Sequence, residues 1–119
     1  MQDFRKLTIW QNGMSISKKV FELSKQLPKT QQFILISQIT RAAVSIPSNI
    51  AEGSSRSSKK DFGRFLEIAQ GSAFELETQL ILIKDFNLID ANSIDNILIE
   101  FNVLQKMIAS FRTKVLSKN

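Results

Sequence analysis

The chain has 119 residues, of which 43% are hydrophobic and 23% charged, the composition of one soluble globular domain over residues 1–119. It contains neither Cys nor His, which excludes thiol and imidazole catalysis, disulfides and nearly every familiar zinc centre. Sixteen Lys and Arg against 11 Asp and Glu give a net charge of +5, which favours polyanionic partners. We therefore expect a binding or structural protein without metal or cofactor, and not an enzyme.

The start of the chain predicts no targeting signal. Asp3, Arg5 and Lys6 run straight into a patterned segment, without the apolar stretch of a signal peptide. The aliphatic runs at 34–36 and 80–83 are far shorter than the ~20 apolar residues that span a bilayer. We expect a cytoplasmic protein with no membrane contact.

Apolar residues spaced by alternating steps of four and three predict a first helix over about 8–27. Thr8 and Gln11 form its expected capping box, and Pro28 follows its end. The residues expected to face the core are Ile9, Gly13, Ile16, Val20, Leu23 and Leu27.

A second helix is predicted over about 30–53, with Thr30 as its cap and Gly53 at its end. Pro47 within it predicts a kink, because proline lacks an N–H and clashes with the preceding turn; a break at Ile46 is the alternative. Its expected core residues are Phe33, Ile36, Ile39, Ala43, Ile46 and Ile50.

Two further helices are predicted over about 58–86 and 92–117, the former opened by a capping box of Ser58 and Asp61. Short connections force neighbouring helices antiparallel, so the expected fold is an all-α, up-down-up-down four-helix bundle, kinked at Pro47. The expected core residues are Phe62, Leu66, Ala69, Ala73, Leu76, Leu80 and Ile83, then Ile94, Ile97, Phe101, Leu104, Ile108, Phe111 and Val115.

This topology sorts the charges by end. The end with both termini and the second loop collects nine Lys and Arg, Lys118 among them, against three carboxylates. The opposite end has three Lys against five carboxylates. Basic residues converging from separated stretches predict a phosphate-contacting patch, although a solvated helix end is the alternative. The predicted nucleic-acid-binding residues are Arg5, Lys6, Arg56, Lys59, Lys60, Arg64, Arg112 and Lys114.

Apolar runs near the acidic end exceed what one core stripe can bury, which predicts self-association through Ile34, Leu35, Ile81 and Ile99. Polar residues beside the core lines of the middle helices predict a structural network. Within it, we expect Arg41 to form a buried salt bridge with Glu75 or Glu67. The predicted network comprises Arg41, Ser45, Asn49, Glu52, Glu67, Ser72 and Glu75.

Two long motifs, QITRAAVSIPSNIAEG at 38–53 and GSAFELETQL at 71–80, resemble the four-helix-bundle family of 23S rRNA intervening-sequence proteins. The opening residues 6–11, KLTIWQ, are similar to that family's first helix, so the resemblance covers nearly the whole chain. Thr40 departs from the second basic residue that members often have before the matching arginine.

The resemblance implies a bacterial, cytoplasmic homo-oligomer, typically a pentamer, whose molecular role is not established. It also implies a relation to the accessory variability proteins of diversity-generating retroelements, which bind nucleic acid and a reverse transcriptase. We expect a non-enzymatic oligomeric bundle that binds structured RNA or DNA through its basic end. The alternatives are a protein-interaction scaffold without nucleic-acid contact, which salt-dependent binding would distinguish, and a carboxylate-based enzyme, which the lack of His disfavours.

Overall fold

The computed structural model describes residues 3–117, which form four α-helices after a short 3-10 turn, Phe4–Lys6. No strand occurs in this part of the chain, so the expectation of an all-α four-helix bundle is confirmed. The predicted ranges agree with the observed helices to within three residues at every end. The helices are α1 (Thr8–Ser24), α2 (Lys29–Ser54), α3 (Lys59–Asp85) and α4 (Ala91–Ser117).

Contacts between neighbouring helices show that the helices run antiparallel, because residues late in one helix contact residues early in the next. Ser45 of α2 hydrogen-bonds Ser72 of α3 at 2.7 Å, while Gly53, nearer the end of α2, packs on Phe62 and Phe65 near the start of α3. Along α3 and α4, Lys84 pairs with Asp95 and Arg112 with Glu67. Asn12 and Lys19 of α1 contact Met107 and Glu100 of α4 in the same antiparallel order. The N-terminal turn, the α2–α3 loop and the last turns of α4 consequently lie at one end of the molecule.

The core follows the predicted heptad lines in α1 and α3, where every expected residue is buried. In α4 the line is buried from Ile94 to Ile108, whereas Phe111 and Val115 are only half-buried. In α2 the prediction for Phe33 is wrong, since this side chain is 89% exposed. Phe33, Ile36 and Ile39 are spaced three residues apart, and three residues turn an α-helix by about 60° less than a full turn. Two such steps in succession move Phe33 away from the helix face on which Ile39 is buried.

Two predicted helix caps are wrong for a local reason. Leu7 and Pro28 are the N-cap residues of α1 and α2, and neither provides a side-chain cap hydrogen bond. Thr8 is already inside α1, and the Gln11 side-chain amide donates to the Arg5 carbonyl of the preceding 3-10 turn at 2.8 Å. Ser58 does cap α3, since its hydroxyl accepts from the Asp61 N–H at 3.1 Å.

Pro47 lies inside a continuous α2, so the helix does not break at Ile46; the kink stays a prediction. Because Pro47 has no N–H, the Ala43 carbonyl lacks its usual helical donor. The Ser17 hydroxyl of α1 lies 3.1 Å from that oxygen and shares its proton with the Gly13 carbonyl at 2.9 Å. Gly13 is buried against the proline, and a Cβ on it would lie 3.4 Å from Pro47 Cβ. These contacts join α1 to the middle of α2.

Candidate nucleic-acid interface

The basic end is built by close packing of the start of α3 against the end of α4. The rings of Phe62 and Phe111 meet edge to face with centroids 5.7 Å apart. The Arg112 guanidinium also donates from Nε to the Gly63 carbonyl at 2.9 Å. This packing places the α2–α3 loop beside the last turns of α4. All the predicted nucleic-acid-binding side chains are exposed except Arg112, which is half-buried, and Lys118 lies outside the described residues.

The four arginines of this end each have a carboxylate neighbour. The pairs are Arg5 with Asp3 at 3.4 Å, Arg56 with Glu52 at 3.2 Å, Arg64 with Asp61 at 3.8 Å, and Arg112 with Glu67 at 3.0 Å. Two guanidinium groups also lie over rings, Arg5 over Phe4 and Arg56 over Phe65. Exposed ion pairs of this kind contribute about 0–1 kcal/mol, so they restrain the arginines more than they stabilise the fold.

Lysines, in contrast, supply the uncompensated positive charge. Lys6, Lys60 and Lys114 are exposed and form no ion pair with a carboxylate in residues 3–117. Lys6 and Lys114 come from opposite ends of the sequence yet line one groove, which has a volume of about 470 Å³. The lysines without an ion pair in the described chain therefore lie partly beside the groove, at Lys6 and Lys114, and partly at the start of α3, at Lys60.

The groove lies between the start of α1 and the C-terminal half of α4, and its lining combines lysines with apolar side chains. Leu7, Met107 and Phe111 are half-buried in it, and Ile9 is buried. Thr8 opens α1 at the same place, where the dipole of a helix adds positive potential. The remaining lining residues are Lys6, Lys106, Ser110 and Lys114.

Lys106 is a member of this groove that the sequence analysis did not identify, because its position along α4 assigns it to the middle of the molecule. The signal was present in the spacing. Lys106, Ser110 and Lys114 follow one another at intervals of four, which places them on one helix face. Only the antiparallel packing of α1 against α4 shows that Lys6 faces the same groove.

The polar network between α2 and α3 is smaller than predicted. It joins Ser45 to Ser72, and the Asn49 amide donates to the Ser45 carbonyl at 2.7 Å and hydroxyl at 2.9 Å. Glu52 and Glu67 instead pair with arginines of the basic end.

The expected buried salt bridge of Arg41 with Glu75 or Glu67 is wrong. Arg41 and Glu75 are both exposed, and Glu67 pairs with Arg112. Position 41 lies on the outside of α2, whereas its neighbours Ala42 and Ala43 enter the core. The polar contact between α2 and α3 is made by the small side chains of Ser45 and Ser72.

The predicted association residues differ in exposure. Ile34 and Ile99 are 64% and 63% exposed, and Ile81 is also exposed. Leu35, by contrast, is half-buried and packs against the core, so it offers less surface than predicted. Phe33, Leu82 and Phe86 add exposed apolar surface near the α1–α2 and α3–α4 loops.

Charges near those loops are paired differently from those of the basic end. The Lys84 ammonium donates to Asp95 at 2.7 Å, and this hydrogen bond raises the pKa of Lys84 above its usual value. Lys25 pairs with Glu22 at 3.2 Å. These carboxylates locally offset the positive charge of the two lysines.

Residues 3–117 contain neither a metal-binding cluster nor a helix able to cross a membrane. These residues contain no group of three or more carboxylates arranged to hold a metal ion. None of the helices they form combines the length and apolarity needed to cross a bilayer.

Comparisons with known proteins add a family and a fold. The 23S rRNA-intervening sequence protein family matches the chain over residues 5–110. A crystal structure at 1.70 Å of a protein with unknown function, from the S23 ribosomal protein family of Bacteroides thetaiotaomicron VPI-5482, superposes with a TM-score of 0.82. It shares 25% identity, and the match covers 88% of this chain and 98% of the other. No curated protein matches significantly.

Proposed function

Because the chain belongs to the 23S rRNA-intervening sequence protein family, we propose that it is a non-enzymatic, homo-oligomeric bundle that binds nucleic acid through its basic end. The ligand class is structured RNA or DNA, and the compartment is the cytoplasm. The observation that carries the proposal is the gathering of exposed basic side chains from three stretches of sequence at one end. Phosphate contacts by lysine and arginine release counterions, so binding of this kind weakens steeply with salt.

Oligomerisation is the second part of the proposal. Ile34, Ile81 and Ile99 expose apolar surface that isolated monomers seldom display in large patches. A closed assembly larger than a dimer, five subunits in the arrangement that the family resemblance implies, repeats the basic end around its axis. Each subunit then needs only a few phosphate contacts, because the assembly binds through several subunits at once.

The test measures retention of RNA and DNA by the wild-type oligomer across a salt series. Reversing Lys59 and Lys60 to Glu weakens binding and flattens the plot of affinity against salt, with a loss of ~0.7 in slope per phosphate contact removed for a single strand. The matched control reverses Lys25 and Lys29 near the α1–α2 loop, and leaves binding nearly unchanged. A wild-type oligomer that retains no nucleic acid at low salt, or whose affinity does not fall as salt rises, contradicts the proposal. Equal binding by both double variants contradicts only the part of it that assigns phosphate contacts to Lys59 and Lys60.

A protein-interaction scaffold is the second candidate, and the exposed apolar side chains near the α1–α2 and α3–α4 loops favour it. In that case the partner is another protein, such as a reverse transcriptase, and the basic end makes no phosphate contact. The salt series separates the two functions, because a contact between apolar surfaces does not weaken as salt rises.

A further inference from the structure

We infer that the lysine groove between α1 and α4 is the seat of nucleic-acid binding, and that it takes an unpaired strand. This inference rests on the proposed function and names the site and the form of the ligand within it. Its basis is the set of Lys6, Lys106, Ser110 and Lys114 around an apolar floor.

The groove gathers three lysines without a carboxylate partner, whereas the α2–α3 loop region combines Lys60, which also has none within residues 3–117, with arginines that are paired. Arg56 and Arg64 of the loop region have carboxylate neighbours at 3.2 and 3.8 Å, which a phosphate must displace or tolerate. Lys6, Lys106 and Lys114 have no carboxylate partner among residues 3–117. A phosphodiester therefore meets three ammonium groups in the groove without competition from a neighbouring anion.

The geometry of α4 suits a chain of phosphates more than a single anion. Lys106 and Lys114 are eight residues apart on one helix face, which corresponds to about 12 Å along the axis. Ser110 lies midway between them, with an exposed hydroxyl-bearing side chain that can donate a hydrogen bond to a phosphate oxygen. Lys6 lies across the groove from α4. This spacing extends the positive surface along the helix.

The apolar floor selects an unpaired strand. Leu7, Met107 and Phe111 are half-buried in a groove of about 470 Å³, so they retain surface that an apolar or aromatic group can cover. An unpaired nucleotide can turn its base onto such a surface while its phosphates stay with the lysines. A duplex keeps its bases stacked inside and presents charged backbone to the floor, which leaves the apolar side chains without a suitable contact.

The test uses fluorescence anisotropy with labelled oligo(U), oligo(dT) and a mixed-sequence duplex of the same length. Both single strands are expected to bind the wild-type oligomer more tightly than the duplex. The double variant K106E/K114E weakens single-strand binding at least about tenfold at low salt and lowers the salt slope by ~1.4. Ser110→Glu, which adds negative charge and removes no lysine, weakens binding in the same direction.

Matched controls keep the result specific to the groove. Gln31→Glu adds one negative charge at the other end of the bundle, and K25E/K29E reverses two exposed lysines there; both bind as the wild type does. Circular dichroism and light scattering verify that every variant keeps its helices and subunit number.

Two results overturn the inference while leaving the proposed function intact. One is single-strand binding that is unchanged in K106E/K114E and Ser110→Glu but lost when Lys59 and Lys60 are reversed. The other is a wild-type protein that binds the duplex at least as tightly as the single strands. Failure of the wild type to bind any of the three probes at low salt instead rejects the proposed function itself.

Discussion

The two ends of this bundle expose different kinds of surface, one basic and the other apolar. At the basic end the packing is close, with Gly53 against Phe62 and Phe65, while Lys60 and Lys114 lack carboxylate partners in the described chain. Near the α1–α2 and α3–α4 loops, Lys25 and Lys84 are paired, while large apolar side chains such as Phe33 remain exposed. One end thus presents uncompensated positive charge, and the other presents exposed apolar surface.

This difference shows that a count of charges is a poor guide to a site until the ion pairs are known. Sequence alone assigns Arg56, Arg64 and Lys114 the same weight. The structure distinguishes them, because two of the three have a carboxylate neighbour. The comparison between the two ends can be tested by variants that change one end and leave the other as it is.

The largest expected effect is on assembly. Ile34→Glu combined with Ile99→Glu places charge on two exposed apolar positions, and we expect the oligomer to dissociate to monomers whose helices persist. Size-exclusion chromatography with light scattering gives the mass, and circular dichroism gives the helix content. Lys25→Glu is the control for added charge at the same end. A wild-type protein that is already monomeric at micromolar concentration rejects the assembly proposal.

A smaller effect, on stability, is expected at the packed basic end. A Cβ on Gly53 would lie 2.7 Å from Phe65 Cβ and 2.9 Å from the Phe62 ring, so Gly53→Ala forces a shift of backbone or rings. Overpacking costs about 1–3 kcal/mol, and alanine regains up to about 1 kcal/mol of helix propensity. We expect a net loss of about 1–2 kcal/mol in the free energy of urea unfolding.

Gly71 provides the matched substitution for this measurement. It is exposed in the middle of α3, and a Cβ there would meet nothing within 4 Å. Gly71→Ala is therefore expected to stabilise the protein by up to about 1 kcal/mol, opposite in sign to Gly53→Ala. Equal effects from the two substitutions would contradict the close packing described for the basic end.

The smallest expected effect concerns the paired lysine near the α3–α4 loop. Because the hydrogen bond that Lys84 donates to Asp95 raises the pKa of Lys84 in the folded protein, this pair stabilises the fold below pH 10.5, the unfolded value. The contribution is lost as pH rises through the folded pKa. Urea unfolding at pH 8 and pH 11 measures it. Lys84→Gln should lose slightly less stability than the wild type over that interval; an identical loss would show that the pair has no linkage to folding.

Much of the fold follows from periodicity. The lines of α1 and α3 are regular alternations of four and three, so their burial was predictable residue by residue. The prediction that Phe33 lies in the core was wrong, because two consecutive spacings of three residues turn its side chain away from the core. The predictions of Thr8 and Thr30 as caps are wrong because both helices begin earlier, with Leu7 and Pro28 as the non-helical N-cap residues.

The candidate site was less predictable than the fold, because it depends on which direction long side chains take and on which helix lies opposite them. Arg41 stands one position before two buried alanines, and only its place on the outer side of α2 shows that it cannot reach into the core. Lys106 was overlooked because its role requires α1 to lie across from it, a relation between residues 100 positions apart. Local sequence patterns give no information on contacts between residues so far apart in the chain.

The contact between Pro47 and α1 has a consequence for alternative arrangements of the same helices. A slide of α1 along α2 by one turn, about 5.4 Å, would replace Gly13 beside the proline ring by Ile9 or Ser17. The same slide would remove the Ser17 hydroxyl from the Ala43 carbonyl, leaving an acceptor inside the bundle without a donor. Heptad lines alone permit such shifted bundles, because their apolar residues repeat at every turn. The proline in the middle of α2 thereby favours one longitudinal register of α1 over its neighbours.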